Sequence, residues 1–276
     1  MIYESKLYKV VRYVFLVIAS IFVIVPLVPL FFMAFKTGAE YSATSVLTPP
    51  QNWLNTYNFA YAIRVGHLGK AFLWTAVILA ISLAIQITLT SMVAYVLHRF
   101  QFFARNIVKT LFTLTMFIPV VTTQTLIFRM MYSVKLINTM WSVIILYAGV
   151  GNVGIYIMMN QLDGISREID EAAWIDGATF NYTFWQIIFP LMRPACTTLL
   201  IINGIALYND FYIPNLYLNS NVQTFTVALY KFYGSMATPF EIVSAAIIIG
   251  MVPIVLIFLF LQKYIYSGLS AGAVKM

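Results

Sequence analysis

Ser166–Pro194 reads S-R-E-I-D-E-A-A-W-I-D-G-A-T-F-N-Y-T-F-W-Q-I-I-F-P-L-M-R-P, and with Asp163 just before it the stretch gathers five acids, Asp163, Glu168, Asp170, Glu171 and Asp176. It is read as the water-facing device of an otherwise apolar chain. Ser166 can cap a helix whose first turns carry Glu168, Asp170 and Glu171, acids that complement the positive end of the helix dipole. Ile169, Ala172 and Ala173 then share one face at i, i+3 and i+4. Gly177 interrupts this helix, because glycine alone turns the backbone through φ > 0 without penalty. A second amphipathic stretch places Phe180, Phe184, Ile187 and Ile188 at i, i+4, i+7 and i+8, and Pro190 is expected to end it. Lipid-bound amphipathic helices are usually rich in Lys and Arg. An anionic leaflet would repel these acids, so the pattern favours a protein partner.

Around this island, 62% of the 276 residues are hydrophobic and 9% charged, with a mean hydropathy of +0.88. Soluble domains average about 45–50% apolar and about 25% charged, so the composition is that of a polytopic membrane protein. The net charge of +7 comes from single basic residues between apolar runs. No basic patch tracks phosphates, which excludes a nucleic-acid partner. The single cysteine, Cys196, excludes an internal disulfide and is expected to be a small buried hydrophobe. Tyr13–Phe35 is too long for a signal-peptide core of about 7–15 residues and reads as a retained first span.

The expected fold is all-α, with six transmembrane helices at roughly Tyr13–Phe35, Ala71–Leu97, Val108–Phe128, Met140–Met159, Ala195–Ile213 and Ile242–Leu261. Each is long enough to cross about 30 Å of hydrocarbon. Lys6, Lys9, Arg12, Arg99, Arg105, Lys109, Arg167, Arg193, Lys263 and Lys275 fall on one side. Lys36, Arg64, Lys70, Arg129, Lys135 and Lys231 fall on the other, which puts both termini and the acidic loop in the cytoplasm. Pro49 and Pro50 exclude helix in the first outer loop, where Trp53, Tyr57, Phe59 and Tyr61 suit a membrane interface. Pro26, Pro29, Pro119 and Pro253 mark kinks within spans. The loop at 219–240 is long enough for a short helix of its own.

Gly149, Gly151 and Gly154 match the G-x-G-x-x-G dinucleotide fingerprint but lack its strand, helix and acid. They read instead as small residues for close helix packing. Asn203, Tyr208, Asn209 and Asp210 in the fifth span are polar at membrane depth. They either line a polar path or make structural hydrogen bonds between helices. His67 and His98 are placed in loops on opposite sides, so they share no metal. There is no phosphate-binding G-x-x-x-x-G-K-[ST] and no nucleophile–base pair. An ion-coupled secondary transporter remains the alternative function, though it would normally show an internal repeat and midplane acids.

Glu171, Ala172, Ala173, then Gly177, Ile187, Ile188, Phe189 and Pro190 resemble the E-A-A-x3-G-x9-I-x-L-P loop of binding-protein-dependent ABC transporter permeases, with Phe189 in place of the usual Leu. The spans, the Y-N-D-F-Y-I-P run at 208–214 and the G-L-S-A-G-A-V-K tail extend the likeness over nearly the whole chain. Together they resemble the MalG-type permeases of carbohydrate importers, with Tyr208 where that family often has Trp. The resemblance implies one transmembrane domain over 1–276, with a core at about 71–265, a coupling loop at 163–194 and an N-terminal span in 1–35. It implies a multi-pass subunit of a bacterial plasma (inner) membrane that pairs with a second homologous permease. An extracytoplasmic sugar-binding protein would meet the 219–240 loop, and a cytoplasmic ABC ATPase dimer would dock on Glu171, Ala172, Ala173, Gly177, Ile187 and Pro190. No cofactor is implied on this chain, ATP and Mg being held by the ATPase subunits.

Overall fold

The computed structural model describes residues 6–234 and 238–273, and every described regular element is a helix. In chain order these are α1 (Lys6–Ile24), α2 (Leu27–Phe35), α3 (Gly38–Ala43), α4 (Tyr57–Val65) and α5 (Leu68–Arg99). There follow α6 (Arg105–Thr115), α7 (Val120–Ser133), α8 (Met140–Tyr147), α9 (Asn152–Asp163) and α10 (Glu168–Ile175). The last are α11 (Phe180–Leu191), α12 (Arg193–Asn209), α13 (Tyr212–Tyr217), α14 (Phe225–Gly234) and α15 (Phe240–Ala273). Residues 235–237 of the expected outer loop and 274–276 of the tail lie outside the described residues.

Three stretches, Tyr8–Phe35, Leu68–Arg99 and Phe240–Phe260, are long and apolar enough to cross a membrane, and three bent pairs bring the number up to six if each pair counts as one span. The expected third span, Val108–Phe128, is not one rod. Its halves α6 and α7 are bent by 103°, with Pro119 extended at the start of α7, where its missing N–H is lost from no hydrogen bond. The fourth span bends by 44° between α8 and α9. The fifth ends at Asn209 rather than Ile213, because Asp210 is extended and its carboxylate accepts the Tyr212 N–H at 2.8 Å, starting α13 instead. Pro26 sits at the α1–α2 break, whereas Pro29 lies in the first turn of α2 and Pro253 runs inside α15 without a break.

Chain contacts define two units, Met1–Lys70 with Ala228–Pro253, and Ala71–Val227 with Ile254–Met276. In the first, buried Lys36 donates to Thr44 Oγ1 at 2.8 Å and to the Ser45 carbonyl at 2.7 Å. Asn58 donates to the Ala34 and Lys36 carbonyls at the end of α2. Trp53 packs on Phe32 and Phe35, and Phe59 on Phe35, so this aromatic loop is folded against α2 while Trp53 and Tyr57 keep exposed faces.

In the second unit, α5 is the common strut. Ala94, Tyr95 and Leu97 join Ile155, Met158 and Leu162 of α9, Phe184 and Ile188 of α11, and Ala195 and Leu199 of α12 in one buried cluster. Cys196, expected to be buried, is half-buried against it. The glycine triplet divides its work. Gly151 sits at the break, where its freed N–H donates to Thr90 Oγ1 at 3.3 Å, which satisfies a backbone group that lipid cannot. Gly154 is the packing glycine, since a Cβ there would lie 3.0 Å from Thr90 Cγ2 and 3.1 Å from Leu199 Cδ1. Gly154→Val should therefore overpack this contact and destabilise the fold by about 1–3 kcal/mol. Gly204→Ala, whose nearest neighbour would be Leu83 Cδ1 at 3.7 Å, should be tolerated. Thermal unfolding of the purified protein in detergent compares the two.

Candidate functional site

The 163–194 loop is two helices turned through a glycine. Gly177 has φ +82°, its N–H donates to the Trp174 carbonyl at 3.1 Å, and the Ala178 N–H reaches back to Ala173 at 2.9 Å. This is the Schellman pattern that closes α10. The Thr179 hydroxyl then accepts the Tyr182 N–H and opens α11. At the start of α10, Arg167 rather than Ser166 occupies the cap position, although the Ser166 hydroxyl accepts the Glu168 N–H at 3.3 Å.

Pro190 does not end the second helix. Thr183–Ile188 widens into a π turn, with the Phe189 N–H donating to the Phe184 carbonyl, and the helix continues to Leu191. Pro190 has no N–H for the Gln186 carbonyl, and its ring would clash there in α geometry; the wider turn gives the ring room. The chain then bends by 69° into α12.

The buried face of α10 differs from the expected one. Ile169 and Ala172 are exposed, and the inward residues are Ala173 and Asp170. Asp170 is 2% exposed, so the five acids do not all face water; the other four are exposed. Asp170 Oδ1 accepts the Tyr95 hydroxyl at 2.5 Å, and Oδ2 lies 3.0 Å from Arg99 Nε. The latter is a charge contact without hydrogen-bond alignment. Arg99 instead donates through Nη2 to the Ile165 carbonyl at 2.8 Å. In return Arg167 donates to the His98 carbonyl at 3.3 Å. His98 is in the last turn of α5 rather than in a loop, and its Nε2 lies 2.8 Å from Asp163 Oδ1. A carboxylate only accepts, so Nε2 is the protonated nitrogen. Arg105 caps the same helix end through the Leu97 carbonyl at 2.8 Å. Tyr95 is walled by the rings of Phe100, Phe180 and Phe184. Removing one member of such a buried pair leaves the other charge uncompensated, at a cost of about 3–5 kcal/mol.

Sequence reasoning treated Arg99 only as an orienting charge and Asp170 only as a dipole partner. The available signal was the i, i+4 spacing of Tyr95 and Arg99, which puts two polar groups on one face of an apolar span. Among the six expected docking residues, Glu171, Ala172 and Gly177 are exposed, Ala173 is buried, and Ile187 and Pro190 are half-buried. Trp174 and Ile175 flank the outward face, Ile175 being 86% exposed.

The four polar residues of the fifth span are not gathered in one place. Asn203 donates to Gln86 Oε1 of α5 at 2.8 Å, beside Gly151 at the α8–α9 break. Asp210 accepts the Tyr147 hydroxyl at 2.8 Å. Tyr208 is buried and stacks on Phe225, and Asn209 is exposed, bonding back to the Ile205 carbonyl. Asn203 and Asp210 thus tie helices together, and Gln86 is a partner the sequence did not flag. Among the described residues no group of three or more His, Cys, Asp or Glu could hold a metal ion.

Long apolar helices, three of them broken, with a polar loop folded back on one span, are the body of a multi-pass membrane transport protein. The chain belongs to the family described as binding-protein-dependent transport system inner membrane component, which it matches over residues 86–271. It is 32% identical over 254 residues to the melibiose/raffinose/stachyose import permease protein MelC of Bacillus subtilis, covering 91% of each chain. It is 31% identical over 276 residues to the maltodextrin transport system permease protein MalD of Streptococcus pneumoniae, covering 99% of this chain and 97% of that one. A solved chain of a bacterial ABC transporter involved in the import of the acidic polysaccharide alginate superposes with a TM-score of 0.84 at 19% identity, covering 96% of this chain and 99% of that one. That likeness establishes the fold.

Nothing lies within 4 Å of a Cβ added at Gly177, so substitution there meets backbone strain alone. Gly177→Ala should cost about 1–2 kcal/mol and speed amide exchange across 168–191 roughly tenfold. Gly177→Asn, which enters the left-handed region more readily, should change it less.

Proposed function

We propose that this chain is a permease subunit of an ATP-driven, binding-protein-dependent carbohydrate importer, a single transmembrane domain forming half of the translocation pathway. The sugars named for its relatives, melibiose, raffinose, stachyose and maltodextrin, support the substrate class. The ion-coupled alternative finds no support in these matches. The partners are a second homologous permease, a cytoplasmic ABC ATPase dimer that holds ATP and Mg, and an extracytoplasmic sugar-binding protein, in a bacterial plasma membrane. The excess of Lys and Arg on the 163–194 side argues for that loop and both termini being cytoplasmic.

One observation carries the coupling role. The outward face of α10 presents Glu171, Ala172 and Gly177 beside exposed Trp174 and Ile175, while the inward face is fully tied to the bundle. An apolar face rimmed by acids at the end of a membrane bundle suits a basic, partly apolar cleft on a soluble protein. Asn203, Tyr208, Asn209 and Asp210 remain the candidates for the sugar path, now with Gln86. Their amides and hydroxyls suit sugar hydroxyls, which would have to compete with the helix-to-helix bonds that Asn203 and Asp210 make.

Glu171→Ala with Gly177→Ala should leave membrane insertion intact, abolish co-purification of the ATPase and reduce uptake at least tenfold. Normal co-purification and uptake by the double variant would overturn the docking assignment. Uptake of the four named sugars into proteoliposomes containing the whole importer tests the substrate class, and transport of none of them would count against it.

A further inference from the structure

The side-chain ties that hold the start of the loop to the bundle run to the distant end of α5. Side chains cross between 95–99 and 163–170 at six places: Tyr95 to Asp170, Arg99 to Asp170, Arg99 to the Ile165 and Ser166 carbonyls, Arg167 to the His98 carbonyl, and His98 to Asp163. They run in both directions, each segment donating to the other. Asp170 uses both carboxylate oxygens on two residues four apart, hence on one face of α5. A two-point attachment of that kind resists rotation as well as separation. The Phe100, Phe180 and Phe184 rings around Tyr95 exclude water, and in a dry site electrostatic contacts are stiffened rather than screened.

We propose that Asp170, Arg99 and Tyr95 are positioning residues of coupling, fastening the 168–191 loop to the end of α5 so that force delivered to the Glu171–Gly177 face moves α5 as a rigid body. This rests on the docking role given to that face. The consequence reaches membrane depth. Gln86 lies 13 residues before Arg99 on the same helix, about 20 Å along its axis, and there it accepts the Asn203 hydrogen bond beside the α8–α9 break. A displaced α5 therefore acts on the contact between α5 and α12 directly, without the motion having to pass along the bent junction at Met192.

The test uses the whole importer in proteoliposomes with its binding protein. Asp170→Asn keeps an acceptor for Tyr95 and removes the charge facing Arg99; Tyr95→Phe removes one hydroxyl. Both should co-purify with the ATPase, so a docking failure is separable from a transmission failure. ATP hydrolysed per sugar imported should rise about tenfold in Asp170→Asn and a few-fold in Tyr95→Phe, at an unchanged KM for the liganded binding protein. A contact that merely stabilises the fold would lower assembly yield without moving that ratio. Spin labels at Met92→Cys and at exposed Asn181→Cys, off the docking face and with Cys196→Ser, give a second readout that does not require Asp170→Asn. Their separation should stay constant between nucleotide-free and nucleotide-trapped states and broaden in Tyr95→Phe. Wild-type coupling ratios in both assembled variants, or a label distance that changes with nucleotide, would overturn the proposal. Should Asp170→Asn fail to assemble, Tyr95→Phe and the label pair decide it.

Discussion

A buried carboxylate opposite a buried guanidinium is the constraint around which the loop end of the bundle is arranged. Neither Asp170 nor Arg99 could sit where it does without the other, because each side chain is 3% exposed and an isolated ion in such surroundings loses far more solvation than packing returns. Their contact accordingly dictates the phase of α10. With Asp170 turned inward, Ala173 follows it one turn later, and Glu171, Ala172 and Gly177 are left outside. The pair says little about net stability, since an apolar replacement of equal volume is often as stable. What it determines is which face of an eight-residue helix is inside.

The same rule, that polar groups must be met wherever water is excluded, governs the broken spans. At Pro119 the break falls where a proline has no N–H to lose. At Gly151 the released N–H is taken by Thr90, and at the end of α12 the Asp210 carboxylate receives both the Tyr147 hydroxyl and the first N–H groups of α13. Gln124 of α7 is met by the Tyr217 hydroxyl at 2.9 Å. The interruptions at Gly151 and Asp210 carry a local side-chain answer, one way in which helices at membrane depth tolerate bends.

Much of this was legible in the residues. Apolar runs of span length located the candidate spans, the fifth being the exception: its bent pair joins Phe180–Leu191 to Arg193–Asn209, against an expected Ala195–Ile213. Proline and glycine chemistry located the breaks at Pro26 and Pro119 and the left-handed turn at Gly177, because those constraints act on the backbone itself. The phase of α10 was not legible. Acids at 168, 170 and 171 surround more than half of one turn, so amphipathicity alone cannot say which of them is buried, and the deciding partner lies on a helix 70 residues earlier. The bend of 103° between α6 and α7 was likewise visible as a position but not as an angle, since the angle is set by packing. For the fifth span, polarity marked Asn203 and Asp210 as unusual, yet their partners Gln86 and Tyr147 are known only once the helices are assembled.

The π turn at Thr183–Ile188 imposes a counting rule on the chain. It holds one more residue than an α turn closing the same distance. Deleting one residue there would leave an α turn that closes the same distance and keeps Ile188 and Met192 in the cluster they share with Tyr95 and Leu199, at the cost of bringing the Pro190 ring back against the preceding turn, whereas adding one would swing everything after it through about 100°. Surface connections elsewhere in proteins drift freely in length, but between Gly177 and α12 the number of residues is itself a structural quantity. Insertions in natural variants of this chain are thus expected to avoid that interval, even where its side chains vary.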